Sequence, residues 1–130
     1  MKPGFTAACF LAIGLLLATP SLFGHHSFTA EFDGKKEITV KGTVTKVEWT
    51  NPHIYFYVDV KDDSGQVVNW AFEGYPPSTL RREGWTRDML KAGQAVTVFG
   101  YAAKDGSHVA AARRITLPDG KALFASAPPQ

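Results

Sequence analysis

Apolar side chains recur at every second position through much of the chain, a spacing that predicts strands. The clearest run is residues 54–60, where Ile54, Phe56, Val58 and Val60 alternate with Tyr55, Tyr57 and Asp59. A half-buried strand has this pattern, and the first set should face the core. Val68, Trp70 and Phe72 repeat it, with Val67, Asn69, Ala71 and Glu73 on the other side. Between the two runs stands Asp62-Asp63-Ser64-Gly65. A three-residue hairpin loop with Gly65 in the left-handed conformation would pair Asp62 with Gln66. That register sets Tyr55 opposite Glu73 and makes His53 a diagonal neighbour of Glu73. His53, Tyr55, Tyr57 and Glu73 are then expected to share one outer face.

Upstream, Ile38, Val40 and Val44 have one parity and Val47 and Trp49 the other. A phase change close to Gly42 predicts a bulge or sharp bend in a long first strand. Glu48-Trp49-Thr50-Asn51-Pro52-His53 follows it. Asn51 is disfavoured as helix before Pro52, and Pro52 has no donor for a sheet ladder, so the chain must turn there. His53 thus opens the second strand at an exposed corner. Residues 25–33 alternate as well, with Phe28, Ala30 and Phe32 on one side. They predict a short leading strand or an arm laid over the domain, ending at the Asp33-Gly34 turn signal.

The alternation lapses over residues 74–93. Pro76 to Gly84 fits a short helix or turn stopped by glycine. A second small helix is predicted from Thr86 as its cap, Asp88 in its first turn, Gly93 at its end and Trp85 stapled onto Leu90. Alternation resumes over residues 95–101 and 108–117, and a turn at Pro118-Asp119-Gly120 leads to an extension over residues 121–124. Three strands, a helical link and two strands, the first one bent, predict an all-β domain. Its expected form is a five-stranded OB-fold-like Greek-key barrel with a short helical link between strands three and four. An open sandwich fits less well, because it usually takes about seven strands and no mid-chain helix. The barrel's ligand face comprises strands two and three with the one-two and four-five loops. Here those loops are residues 50–53 and 103–108, which adds His108 to the candidates.

Composition changes the picture at the N-terminus. Met1 and Lys2 precede an apolar run over residues 7–18, followed by Pro20, Ser21 and Gly24. The run is shorter than the ~20 residues of a spanning helix and predicts a signal peptide, residues 1–24, cleaved after Gly24. The expected layout is then a barrel domain over residues 25–124 and a flexible tail over residues 125–130. The chain should be exported, to a bacterial periplasm or beyond, with no stable membrane anchor after cleavage. The single cysteine, Cys9, lies inside the signal. Thr6 stands three positions before it and most of the apolar run comes after it, which argues against lipidation. A mature domain without thiols would hold metal only through histidine and oxygen. The formal charge of +2 includes Lys2, and the remaining basic residues are scattered. No concentrated basic face is expected, so nucleic acid is not an expected partner.

His25-His26-Ser27-Phe28, then Glu31-Phe32-Asp33, Val47 to His53, the segment from Trp70 to Glu73 and the turn from Leu90 to Gly93 form a recognisable set. With them, essentially the whole mature chain resembles a family of small exported bacterial proteins known as a domain of unknown function. The resemblance implies export and a barrel of OB type, and it carries no activity.

Two functions of different class are expected from the residues. The first is a binding protein that takes a small molecule, peptide or protein partner on Trp49, Asn51, His53, Tyr55, Tyr57 and Glu73. The second is a metal-binding protein, copper before zinc. In it the mature amine and ring of His25 chelate one ion, and His26, His53 or His108 completes a nitrogen-rich site. Plain alternatives stand beside both: His25 and His26 as a solvated tail, and His53 as a structural donor to a loop carbonyl. An enzyme is the weaker expectation. Glu73 and His53 could form a base pair, yet no nucleophile and no phosphate-cradling glycine loop accompany them.

Overall fold

A computed structural model describes residues 28–126. The predicted signal peptide, His25, His26 and the last four residues lie outside that range. Among the described residues the protein is mostly antiparallel sheet with little helix, in the order α1 (Phe28–Glu31), β1 (Phe32–Glu48), β2 (Tyr55–Lys61), β3 (Val67–Glu73), α2 (Pro77–Arg82), β4 (Ala95–Ala103), β5 (Val109–Thr116) and β6 (Ala122–Phe124). The six strands form one sheet in the order β3-β2-β1-β4-β5-β6, with β3 also pairing β5. That extra pairing is parallel and joins Ala71, Phe72 and Glu73 to Val109, Ala110 and Ala111. Hydrogen-bonded neighbours therefore run from β1 through β2, β3, β5 and β4 back to β1.

β1, with 17 residues, reaches both β2 and β4. Two irregularities allow this. Val44 pairs Val58 while Lys46 pairs Tyr57, so Thr45 is an extra residue, the bulge that the parity switch predicts. Gly42 sits just before it, where a Cβ would lie 2.1 Å from the Asp59 carbonyl oxygen. The second irregularity lies between Phe32 and Glu37. Asp33-Gly34 does not end a leading strand as expected; it loops out within β1, with Lys35 N–H donating to Asp33 Oδ1 at 2.9 Å. The residues ahead of it form the short helix α1 and no strand.

The predicted hairpin is present. Gly65 has φ of 85°, and Asp62 N–H donates to the Gln66 carbonyl at 2.8 Å. Tyr55 lies opposite Glu73 as expected, which follows from the loop length. The core contains Val44, Ile54, Phe56, Val58, Phe72, Leu80, Val98 and Ile115, with Phe56 and Phe72 stacked at 5.2 Å. Burying each such side chain contributes about 1.5–3 kcal/mol.

Two expectations fail in the second half. The helix predicted from Thr86 does not form. The Thr86 hydroxyl is bonded to the Asp88 carboxylate, and Gly93 N–H donates to the Val44 carbonyl at 2.7 Å. The end of this segment is thus tied to β1 at Val44, beside the bulge, in place of helical bonds. Trp85 is buried and its ring lies 6.4 Å from Trp49. The expected flexible tail is docked at its first two residues. Ala125 is fully buried, with its N–H donating to the Arg113 carbonyl and its carbonyl accepting from Tyr75 N–H at 2.7 Å. The Ser126 hydroxyl donates to the Ala112 carbonyl. The terminal extension is a true strand, β6, paired with β5 through Arg114, Ile115 and Thr116.

Candidate functional site

The corner after β1 contains a cis peptide bond between Asn51 and Pro52, and both residues are exposed. His53 follows, half-buried, and Ile54 is inserted fully into the core. Ile54 N–H donates to the Tyr75 carbonyl, and Gly74 N–H donates back to the Ile54 carbonyl at 3.0 Å. The chain on either side of His53 is therefore fixed to the end of β3.

Alternation along β2 then puts His53, Tyr55 and Tyr57 on the face away from the core, as β3 does with Glu73. The His53 Nδ1 lies 2.8 Å from the Gly74 carbonyl oxygen and 3.4 Å from Glu73 Oε1. A carbonyl can only accept, so Nδ1 carries the proton and Nε2 holds the lone pair of the neutral ring. The Tyr55 hydroxyl donates to Glu73 Oε2 at 2.7 Å. Glu73 thus serves Tyr55 with one oxygen and faces His53 with the other. Burial pushes the Tyr55 phenol well above the usual tyrosine value, and the Glu73 carboxylate adds to this, followed by Glu31.

A second cluster adjoins the first. The Tyr57 hydroxyl donates to Glu48 Oε2 at 2.9 Å, and Lys46 bonds the other oxygen of Glu48. The Lys46 ammonium also lies 5.6 Å from the centre of the Tyr57 ring. Lys46 and then Tyr57 hold the Glu48 carboxyl below the usual carboxylate range, while the bond to Glu48 raises Tyr57 and Lys46. Farther along, Asn69 bridges Asp59 and Thr45 across three strands.

The expected ligand face is thus partly assembled. His53, Tyr55 and Glu73 are joined directly, and Tyr57 lies beside them in a separate cluster. Trp49 takes no part, since its side chain packs against the core and Trp85. Its Nε1–H is buried with no acceptor among the described residues. Glu48 and Lys46 are the residues that sequence reasoning missed. The bulge at Thr45 shifts the parity of β1 and brings both to the outer side; the switch from Val44 to Val47 carried that signal.

His108 is exposed, with its ring 5.1 Å from Trp70 and edge-on to it. Trp70 packs against the core, whereas His53 stands on the outer side at the other end of β3. Residues 70 and 74 are about 13 Å apart along an extended chain, so the two histidines do not share an ion. No group of three or more His, Cys, Asp or Glu side chains that could hold a metal occurs among the described residues. The predicted ligands His25 and His26 lie outside them. An open apolar groove over Gly42, Val96, Leu117 and Pro118 contains none of the predicted site residues.

These features define a class: a small β-sheet protein carrying an ordered polar and aromatic array on one exposed strand pair. The chain belongs to a family of unknown function, DUF6152, whose family model matches residues 14–112. No curated protein and no solved structure matches it.

Proposed function

We propose that the protein is an exported binding module, an OB-type Greek-key barrel whose corner and outer β2–β3 face take a ligand or partner protein. The barrel reading is supported by the cycle of pairings β1-β2-β3-β5-β4 and by α2 between β3 and β4. On that fold the corner is the one-two loop, at the position where small barrels of this type hold ligands. The apolar run over residues 7–18 supports export.

The observation that carries the binding function is the hydrogen-bonded array on the outer face. Glu73 orients both His53 and Tyr55, and Glu48 orients Tyr57 and Lys46. Side chains held by one another present their remaining polar edges at a low entropic cost, the condition for a recognition surface. Its acidic and phenolic groups suit hydroxyl-rich or cationic ligands.

Backbone amide NMR of the processed protein, titrated with oligosaccharides and with short basic peptides, tests this. Shifts should concentrate at residues 53, 55, 57 and 73 and shrink in Tyr55→Ala. Shifts centred on β4–β6, or none with either panel, would overturn the reading.

A further inference from the structure

We propose that the ligand of the outer face carries a guanidinium group, taken by His53 Nε2, the Tyr55 hydroxyl oxygen and Glu73 Oε1. This rests on the binding reading above and chooses between the ligand classes which that reading allows.

The polar hydrogens of His53, Tyr55 and Tyr57 are all given away at the face itself. His53 Nδ1–H donates to the Gly74 carbonyl at 2.8 Å, the Tyr55 hydroxyl to Glu73 Oε2 at 2.7 Å and the Tyr57 hydroxyl to Glu48 Oε2 at 2.9 Å. A phenol has one proton and a neutral imidazole one N–H, so His53 Nε2 and both phenol oxygens have only lone pairs left to offer. Glu73 Oε1 is 3.4 Å from His53 Nδ1, whose proton is bonded to Gly74, and it accepts no hydrogen bond among the described residues. The one buried side-chain nitrogen or oxygen without a partner among those residues is Trp49 Nε1, so Glu73 Oε1 and His53 Nε2 are open to solvent. A row of free acceptors selects a ligand made of donors. Each hydroxyl of a sugar brings lone pairs with its proton, whereas a guanidinium has five N–H donors and no acceptor.

The chain itself fills the other half of the face with a cation. Tyr57 and Glu48 form a phenol–carboxylate pair, and Lys46 bonds the second oxygen of Glu48 with its ammonium 5.6 Å from the centre of the Tyr57 ring. Tyr55 and Glu73 form the same kind of pair two residues back along β2. Tyr55 lies opposite both carboxylates, Glu48 on β1 and Glu73 on β3. Glu73 has no Lys or Arg partner among the described residues, although its side chain is only 16% exposed. A largely enclosed carboxylate gains most from a cation that brings hydrogen bonds with its charge. A guanidinium does so in a plane, gives up its water readily and stacks on a tyrosine ring. An ammonium, a compact and strongly hydrated charge with three donors, reaches fewer of acceptors spread over β2 and β3.

Amide NMR of the processed protein, titrated with N-acetyl-arginine methylamide and with its citrulline and lysine counterparts, tests this. Citrulline keeps the length and the plane but has no charge and puts an acceptor at the tip. The arginine compound should shift residues 53, 55 and 73, and the citrulline compound should bind at least about 10-fold more weakly, with lysine also weaker than arginine. Glu73→Gln keeps an acceptor for the Tyr55 hydroxyl and turns the free oxygen into a donor. It should retain its fold in thermal unfolding and bind the arginine compound at least about 10-fold more weakly. Lys46→Ala removes the competing cation and should bind at least as tightly as wild type. A blocked Ala-Arg-Ala peptide separates the sources of the group: tighter binding than the single residue assigns a polypeptide partner, and equal binding a small guanidine. Citrulline binding within twofold of arginine, Glu73→Gln within twofold of wild type, or weaker binding in Lys46→Ala would overturn the guanidinium assignment. If oligosaccharides still shift residues 53, 55 and 73, the assignment alone fails and the face remains a binding surface; if neither class shifts them, both fail.

Discussion

The Tyr55–Glu73 bond is the joint on which the outer face depends, and its strength can be worked out from its surroundings. The Tyr55 hydroxyl lies 2.7 Å from Glu73 Oε2, and the Glu73 side chain is only 16% exposed. A hydrogen bond to a charged group contributes about 1.5–3 kcal/mol when enclosed, and partial exposure moves this one toward the lower end. Tyr55→Phe removes the hydroxyl alone and should cost about 1–1.5 kcal/mol. For a domain of this size that is a fall in Tm of about 5–10 °C. Glu73→Gln retains an acceptor and should cost less. Urea unfolding of wild type, both single variants and Tyr55→Phe/Glu73→Gln gives the coupling directly, expected near 1 kcal/mol. An alkaline limb supplies an independent reading. Because the folded protein holds the Tyr55 phenol above its ordinary value, its contribution is complete below about pH 10 and is lost as pH rises toward the folded pKa. Wild type should lose stability above pH 10 more steeply than Tyr55→Phe. A coupling below about 0.3 kcal/mol, with parallel alkaline limbs, would refute the joint.

Gly42→Ala would place a Cβ 2.1 Å from the Asp59 carbonyl oxygen, a backbone atom that cannot step aside, and should cost at least about 2 kcal/mol in urea unfolding. Deleting residues 125–130 removes the Ala125 bonds to Arg113 and Tyr75 together with the Ser126 hydroxyl bond, and should lower Tm by about 10 °C; an unchanged Tm would mean that the docked end contributes nothing. By carbon-detected NMR titration Glu48 should ionise below an ordinary glutamate, and Lys46→Ala should raise it more than Tyr57→Phe does. Phe56→Ala should cost about 3–5 kcal/mol, because the ring is fully buried and stacked on Phe72.

Strand positions and the β2–β3 register were legible because they rest on a period of two and on one loop whose length fixes the pairing. The bulge was legible for a related reason: Val44 and Val47 cannot both face the core unless one residue is added. What escaped depends on distant partners. Thr86 has a good helix signal, yet Gly93 and Gln94 bond to Val44, and that tertiary ladder overrides one turn of local propensity. Ala125 gives no apolar pattern, since its burial depends on β6 pairing with β5 and on Tyr75 arriving from the far end of β3. In the site, Tyr55, Glu73 and His53 followed from register alone. Glu48 was missed although the switch from Val44 to Val47 already turns it outward, because parity within one strand does not show that its partner is Tyr57 on the next.

The same bulge explains why the two outer clusters lie together. If Thr45 took a regular place in the ladder, the parity of Val44 would continue, placing Lys46 and Glu48 on the core side and Val47 and Trp49 outside. One inserted residue therefore moves an acid and a base onto the face beside Tyr57 and turns Trp49 toward Trp85. It sits next to Gly42, whose missing side chain admits the Asp59 carbonyl, and opposite Gly93, whose N–H bonds Val44. The irregular part of β1 is thus held from both sides. Bulges of this kind re-aim side chains near binding sites. Here the re-aimed residues are Lys46 and Glu48, which makes the bulge part of the recognition surface as well as of the fold.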